Sequence, residues 1–322
     1  METLLQIKDL HANFYTYRGI VRALNGVNLT IHKAESVGLV GESGCGKSAT
    51  AKSIIRLLDS PGRVESGQVL FEGTDLLALS ESDLRKIRGK QISFIFQEPK
   101  KALDPTSRVG DQLIEAIQVA RSVTRSEAED ICPDLLNQVG LADVQRVMQS
   151  YSFELSGGMA QRIMIGMAVC GHPKLIIADE PTSALDVSVQ AQIIRLIDDL
   201  ARDYASSLLL ITHDLGLAAE NCETIAVMYA GNIVEIGAVE EVFGRPAHPY
   251  TIGLMHALPT LNSDTLSTIP GIVPDLIYPP PGCRFSTRCN RMKERCRTEV
   301  PPLQGIGAGH FTACFYPAAE GA

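Results

Sequence analysis

The stretch Ser36-Val37-Gly38-Leu39-Val40-Gly41-Glu42-Ser43-Gly44-Cys45-Gly46-Lys47-Ser48 is an apolar run that breaks into a glycine-rich octapeptide, Gly41 to Ser48. Ser48 to Leu58 then continues with helical periodicity. The octapeptide fits G-x-x-x-x-G-K-[ST], in which glycines let backbone N–H groups close around a phosphate with no side chain in the way. Lys47 reaches the outer phosphates and Ser48 offers its hydroxyl to Mg²⁺. The following helix aims its partly positive N-terminus at the same anion. A plain Gly/Ser turn is the alternative, but such a string arises by chance in roughly one chain in a hundred of this length. The sequence therefore predicts a nucleoside triphosphate site formed by Gly41, Ser43, Gly44, Cys45, Gly46, Lys47 and Ser48.

Outward from this loop, Leu4 to Ile7 and Val27 to Ile31 read as short strands, and Gln91 to Phe96 as another that ends at Gln97-Glu98-Pro99. Leu175 to Ala178 and Leu208 to Thr212 are continuous apolar runs, as in strands buried on both faces of a mainly parallel sheet. Val187 to Asp203 between them has helical periodicity, and from Pro105 to about His172 the strand signal disappears in favour of helices. Ala226 to Tyr229 and Ile233 to Ile236, around Ala230-Gly231-Asn232, predict a hairpin. The order predicts a doubly wound α/β core.

Composition agrees. The 322 residues are 45% hydrophobic and 5% aromatic, enough for about two domains of helix-covered sheet. A formal charge of −8 argues against a grip on nucleic-acid backbone, which needs an excess of Lys and Arg. No apolar run approaches the ~20 residues that cross a bilayer. Met1 to Leu10 reads as an alternating strand rather than a signal peptide, so the expectation is a chain that stays where it is made.

Leu175-Ile176-Ile177-Ala178-Asp179-Glu180 ends in two carboxylates at a strand's C-terminal edge, where open α/β sheets bind ligands. Asp179 can hold Mg²⁺ and Glu180 can orient or deprotonate an attacking water. Leu155-Ser156-Gly157-Gly158-Met159 opens a helix expected from Ala160 to about Val169, with Ser156 as N-cap and glycine amides free for a second anion contact. Taken alone, that segment also fits a simple capped helix with a flexible entry.

In this order the residues resemble an ATP-binding cassette (ABC) ATPase, the motor subunit of a transporter. By that resemblance Gly41 to Ser48 is Walker A, Gln97 the Q-loop glutamine and a further Mg²⁺ contact, and Leu155 to Met159 the signature. Leu175 to Asp179 is Walker B, with Asp179 toward Mg²⁺, and Glu180 is the catalytic carboxylate. Ser183-Ala184-Leu185-Asp186 is the D-loop, and His213 the switch histidine at the γ-phosphate. Phe14 lies where the family stacks an aromatic on adenine, with Tyr15 and Tyr17 as competitors. Met159 replaces the commoner glutamine of the signature. The resemblance implies a P-loop ABC ATPase core over residues 1–240, with a helical subdomain at about 98–172. It also implies head-to-tail pairing of two cassettes, since the signature of one completes the phosphate site of the other.

Beyond about Val239 the texture turns to proline, glycine and arginine, and a small loop-rich domain is expected over 241–322. Eight cysteines in a chain without a secretion signal argue against a disulfide framework. Four of them, Cys283, Cys289, Cys296 and Cys314, follow C-x₅-C-x₆-C-x₁₇-C among arginines. The thiols suit a [4Fe–4S] cluster, whose negative charge the arginines offset. Zinc is less favoured because paired C-x₂-C knuckles are absent, and unligated thiols are the third alternative.

His248-Pro249-Tyr250-Thr251, Pro270-Gly271, Val273-Pro274 and Pro281-Gly282-Cys283-Arg284-Phe285 with Arg288-Cys289 resemble the tail of oligopeptide and dipeptide importer ATPases. That likeness implies a [4Fe–4S] cluster on the four cysteines. It further implies a peptide importer on the cytoplasmic face of the inner membrane, with two transmembrane permease subunits. A solute-binding protein and a second ATPase, related or identical, complete the expected partners. Nickel, opines, glutathione and antimicrobial peptides are the alternative cargoes. A non-transport ABC ATPase is the other alternative, though neither a second cassette nor a long coiled-coil insertion is visible.

Overall fold

The computed structural model describes residues 2–183, 185–257, 268–307 and 309–318. Met1, at the start of the first expected strand, and Ala184, in the expected D-loop, lie outside the described residues. In chain order the strands are β1 (Thr3–Thr16), β2 (Gly19–His32), β3 (Ser36–Val40), β4 (Gly62–Phe71), β5 (Thr74–Asp75) and β6 (Ile92–Ile95). They continue with β7 (Leu175–Asp179), β8 (Ser207–Thr212), β9 (Thr224–Tyr229), β10 (Asn232–Ala238), β11 (Gln304–Gly307) and β12 (His310–Thr312). The chain divides into two compact units, one holding residues 33–35 and 79–211, the other 2–32, 36–78 and 212–322.

In the first unit β6, β7 and β8 pair in parallel, with Ile95 opposite Ala178 and Asp179 opposite Ile211. Every residue of β7 is buried, as its unbroken apolar run requires. Helices fill the segment in which no strand was expected: Val109–Arg121, Arg125–Gln138, Val144–Gln149 and Gly157–Val169. Val109, Leu113, Ile114 and Ile117 form the buried stripe of the first of these. Thr124 caps the second in a reciprocal capping box with Glu127. The helix expected from Ala160 begins three residues earlier, because Ser156 accepts a hydrogen bond from the Met159 N–H and holds both glycines in the first turn. Val187–Asp203 is helical as expected.

The second unit carries an antiparallel sheet in the order β2-β1-β4-β5, and a parallel pair β3–β9, Val40 lying opposite Val227. The expected hairpin is β9–β10. Both first strands run 14 residues, far beyond the expected short runs. Their alternation is interrupted where β1 shifts register between Ile7 and Leu10, so a period of two is lost in the sequence. β4 was not expected at all: Arg63, Glu65, Ser66 and Gln68 leave it no apolar pattern before Val69.

The proline-rich tail is not merely loop. β12 pairs with β10 at Glu235–Thr312 and Ile236–Phe311, and β11 adds beyond it. Glu235 is fully buried, and its carboxylate accepts from the Ala247 and His248 N–H groups and from His310 Nε2, each at 2.8 Å. Tyr250 and Phe285 enter the core around β9, with ring centroids 4.6 and 5.1 Å from Tyr229. Aromatic pairs of this kind add about 0.5–1.5 kcal/mol each beyond simple burial.

Candidate functional site

In the second unit β3 runs into the loop 41–46 and then the helix Lys47–Ile54, whose N-cap is Gly46 at φ +112°. Two glycines are dictated by close approach. A Cβ on Gly41 would stand 2.2 Å from the Met228 carbonyl oxygen, and one on Gly46 would stand 2.9 Å from that of Ala23. Lys47 is buried, and its Nζ donates to the carbonyls of Gly41 at 2.8 Å and Glu42 at 3.1 Å. The ammonium is thus held inside the loop. Ser48 follows in the first turn of the helix. Ser43 and Gly44 form the outer rim, and Cys45 faces inward with its thiol pKa raised by burial, an effect Lys47 partly offsets.

The carboxylates belong to the first unit. Asp179 closes β7 and is buried, while Glu180 stands one residue beyond at φ +44° with its N–H donating to the Ile211 carbonyl. A glutamate in left-handed backbone is strained by about 1–3 kcal/mol, and such strain gathers at functional sites. Gln97, two residues past β6, donates its Nε2 to Glu180 Oε2 at 2.9 Å. The parallel register of β6 and β7 brings these residues to one sheet edge. Ser156 is exposed at the start of its helix, with Gly157 and Gly158 half-buried beside it. Asp186 is exposed at the N-cap of Val187–Asp203, and Gln190 ties the preceding turn by donating to the Thr182 and Leu185 carbonyls.

His213 is exposed directly after β8, and Asp214 caps the helix Leu215–Asn221 that follows. Phe14 is half-buried on β1 opposite Val21 and Gly62. Its ring lies so close to Gly62 that a Cβ there would come within 2.7 Å. Tyr15 instead donates its hydroxyl to Glu65 at 2.8 Å, and Tyr17 is 99% exposed.

Cys283, Cys289, Cys296 and Cys314 all line one small cavity, closed by Phe315 and Tyr316 among others. Burial pushes the Cys283 thiol up to about 11, with the other three thiols adding, and burial also raises Cys289 and Cys314. Lys293 lies 4.1 Å over the Tyr316 ring and Arg295 lies 3.9 Å over Phe315. Among the described residues no group of three or more His, Cys, Asp or Glu side chains is arranged to hold a metal ion; what the four thiols share is the lining of this cavity.

Three features gave no signal in the sequence. Arg288 forks onto Glu42 of the loop, Tyr250 receives the Glu42 N–H, and the Glu235–His310 pair fastens β12. Only buried charge could have hinted at them, and burial is not visible in a linear string.

Residues 24–183 match the family model described as ABC transporter, and residues 234–296 match that of the oligopeptide/dipeptide transporter C-terminal region. The chain is 46% identical to a probable peptide ABC transporter ATP-binding protein, y4tR, of Sinorhizobium fredii, over 98% of this chain and 95% of that protein. It is 44% identical to the oligopeptide transport ATP-binding protein OppD of Salmonella typhimurium, with the same coverage. The dipeptide transport ATP-binding protein DppD of Bacillus subtilis is 46% identical, again over 98% and 95%. Among solved structures, a dimeric bacterial ABC transporter cassette superposes with a TM-score of 0.66 at 27% identity, covering 73% of this chain and 99% of its own. A glycine loop before a buried lysine, a carboxylate pair at the end of β7 and a cysteine-bearing extension thus coincide with two matched family models. The chain belongs to the ABC transporter ATP-binding proteins, in the group that carries the oligopeptide/dipeptide transporter C-terminal region.

Proposed function

We propose that this chain is the ATP-hydrolysing subunit of a multi-subunit importer of di- or oligopeptides. The observation that carries the reading is the loop geometry at Lys47 joined to a peptide-transporter type of extension. Residues 1–240 act as the nucleotide-binding cassette, with helical subdomain 98–172, and 241–322 as the extension. Gly41, Ser43, Gly44, Cys45 and Gly46 enclose the phosphates with their amides, Lys47 neutralises the outer phosphates, and Phe14 stacks on adenine. Ser48, Gln97 and Asp179 hold Mg²⁺. Bound there, the metal supplies charge neutralisation of the transferred phosphoryl group, and the protein supplies position.

Glu180 orients the attacking water. The Gln97 amide donates to one of its carboxylate oxygens at 2.9 Å and orients the group. His213 contacts the γ-phosphate, while Ser156, Gly157, Gly158 and Asp186 serve the site of a second cassette. That second cassette is a related subunit or a copy of this chain. The paired state of the solved cassette supports this arrangement. Among the described residues no helix is long and apolar enough to cross a membrane. On this reading the chain lies peripherally on the cytoplasmic face of the inner membrane, with two permease subunits supplying the path across it. An external binding protein delivers cargo to them. Cys283, Cys289, Cys296 and Cys314 hold a [4Fe–4S] cluster, supported by their shared cavity.

The test is Glu180→Gln in the reconstituted assembly. Phosphate release falls at least a hundredfold while MgATP binding and a closed pair of cassettes persist. Turnover at the normal rate would refute the assignment of Glu180.

A further inference from the structure

Glu42 is the second residue of the phosphate loop, and both of its ends are held by the C-terminal stretch. Its backbone N–H donates to the Tyr250 hydroxyl at 2.9 Å. Its carboxylate accepts a forked pair from Arg288, Nη1 to Oε2 at 2.7 Å and Nη2 to Oε1 at 3.1 Å. The carbonyl of the same residue accepts from Lys47 Nζ at 3.1 Å. The loop lysine and the tail arginine therefore act on a single residue from opposite sides.

Arg288 is itself immobilised. Its Nε donates to the Pro270 carbonyl at 3.0 Å and its Nη2 to that of Ile269 at 3.2 Å, and the guanidinium lies 5.7 Å from the centre of the Tyr229 ring. Its side chain is 4% exposed against 30% for Glu42. Four residues earlier, Arg284 donates to the carbonyls of Ala230 and Arg22, anchoring the segment from which Arg288 projects. Forked guanidinium–carboxylate pairing fixes orientation as well as distance, which a lysine cannot do. A surface ion pair would contribute little. This one is largely withdrawn from water and rigid at its cationic end.

We propose that Arg288 and Tyr250 are positioning residues for nucleotide binding, holding Glu42 and through it the Lys47 ammonium, so that the C-terminal extension sets the affinity for MgATP. The proposal rests on Gly41 to Ser48 being the phosphate loop. Neither residue touches nucleotide. Their effect falls on the resting shape of the loop, hence on binding, and not on the attack of water at Glu180. An extension that is only tethered by this contact would leave affinity unchanged.

The experiment measures equilibrium binding of MgATP to the full-length chain, and KM against kcat in the assembled transporter. Arg288→Met is expected to raise Kd and KM about tenfold with kcat within twofold. Arg288→Lys recovers part of the loss, and Tyr250→Phe weakens binding about threefold by removing one oxygen. Glu42→Gln added to Arg288→Met costs no more than Arg288→Met alone, because both act through one contact. Unchanged Kd in Arg288→Met and Tyr250→Phe overturns the proposal. Should Arg288→Met fail to fold, Tyr250→Phe alone decides it. Lys47→Ala separates the two ideas: wild-type binding in that variant overturns the phosphate loop itself, whereas lost binding there with normal Arg288→Met overturns only the positioning role.

Discussion

Replacing Gly41 with alanine tests how tightly the phosphate loop is seated on its strand. The added Cβ would lie 2.2 Å from the Met228 carbonyl oxygen and 2.9 Å from Cys45 Sγ, against 3.4 Å for ordinary contact. The cysteine can rotate, but the carbonyl belongs to β9, which is paired with β3 up to Val40 and Val227. Relief therefore requires the loop to move by about 1 Å, carrying with it the Gly41 carbonyl that receives Lys47. Overpacking of this kind costs about 1–3 kcal/mol, or roughly 5 °C in Tm for a unit of this size. A displacement of about 1 Å at the phosphates costs about a hundredfold in turnover. Gly44 gives the contrast, since nothing lies within 4 Å of its Cβ position and only its φ of +76° opposes alanine. Steady-state phosphate release and thermal unfolding of both variants would read the two effects. Turnover of Gly41→Ala within threefold of the parent, or a larger loss in Gly44→Ala, would refute the steric argument.

Other outcomes follow from single side chains. His310→Ala strips one of three donors from the fully buried Glu235 carboxylate and should cost about 3 kcal/mol in urea unfolding, with early proteolysis of the tail. His172 is stacked on Tyr204 at 4.0 Å, and burial first, then Arg121, holds its pKa below 6.5. The unfolded chain therefore takes up its proton before the folded one does. Stability from this group is complete above pH 6.5 and is lost as pH falls below it, so His172→Asn should flatten the decline that sets in below that pH. Asparagine also tolerates the left-handed φ of +50° at that position. Cys296→Ser in anaerobically purified protein should abolish bound iron, and full iron content in that variant would remove the cluster assignment.

What could be read from the string alone follows its physics. β7 and β8 were legible because strands covered on both faces need unbroken apolar runs, and Val187–Asp203 because one helical face is buried. The phosphate loop was legible because its backbone geometry tolerates few residue types, and the carboxylates because they follow a recognisable strand. β4 was not, since its charged first half faces outward and carries no period. The tail strands were hidden by their brevity, three residues in β12. Arg288 and Glu42 are 246 positions apart, and nothing local in either segment announces the other. Tyr250 carried a family likeness, but its bond to a loop amide exists only once the core around Tyr229 has closed.

The second unit joins segments far apart in the chain. Arg22 donates its N–H to the Leu276 carbonyl, Asn25 to Gly231, and β3 takes its parallel neighbour β9 from beyond residue 220. A ribosome making this protein thus releases β3 long before its parallel neighbour β9 exists, although β1, β2 and β4 can already pair among themselves. Nascent β3 must wait for this neighbour until residues 224–229 are made. Without residues 310–312, β10 would have a bare edge and its buried glutamate no histidine, a product ripe for degradation rather than a smaller motor.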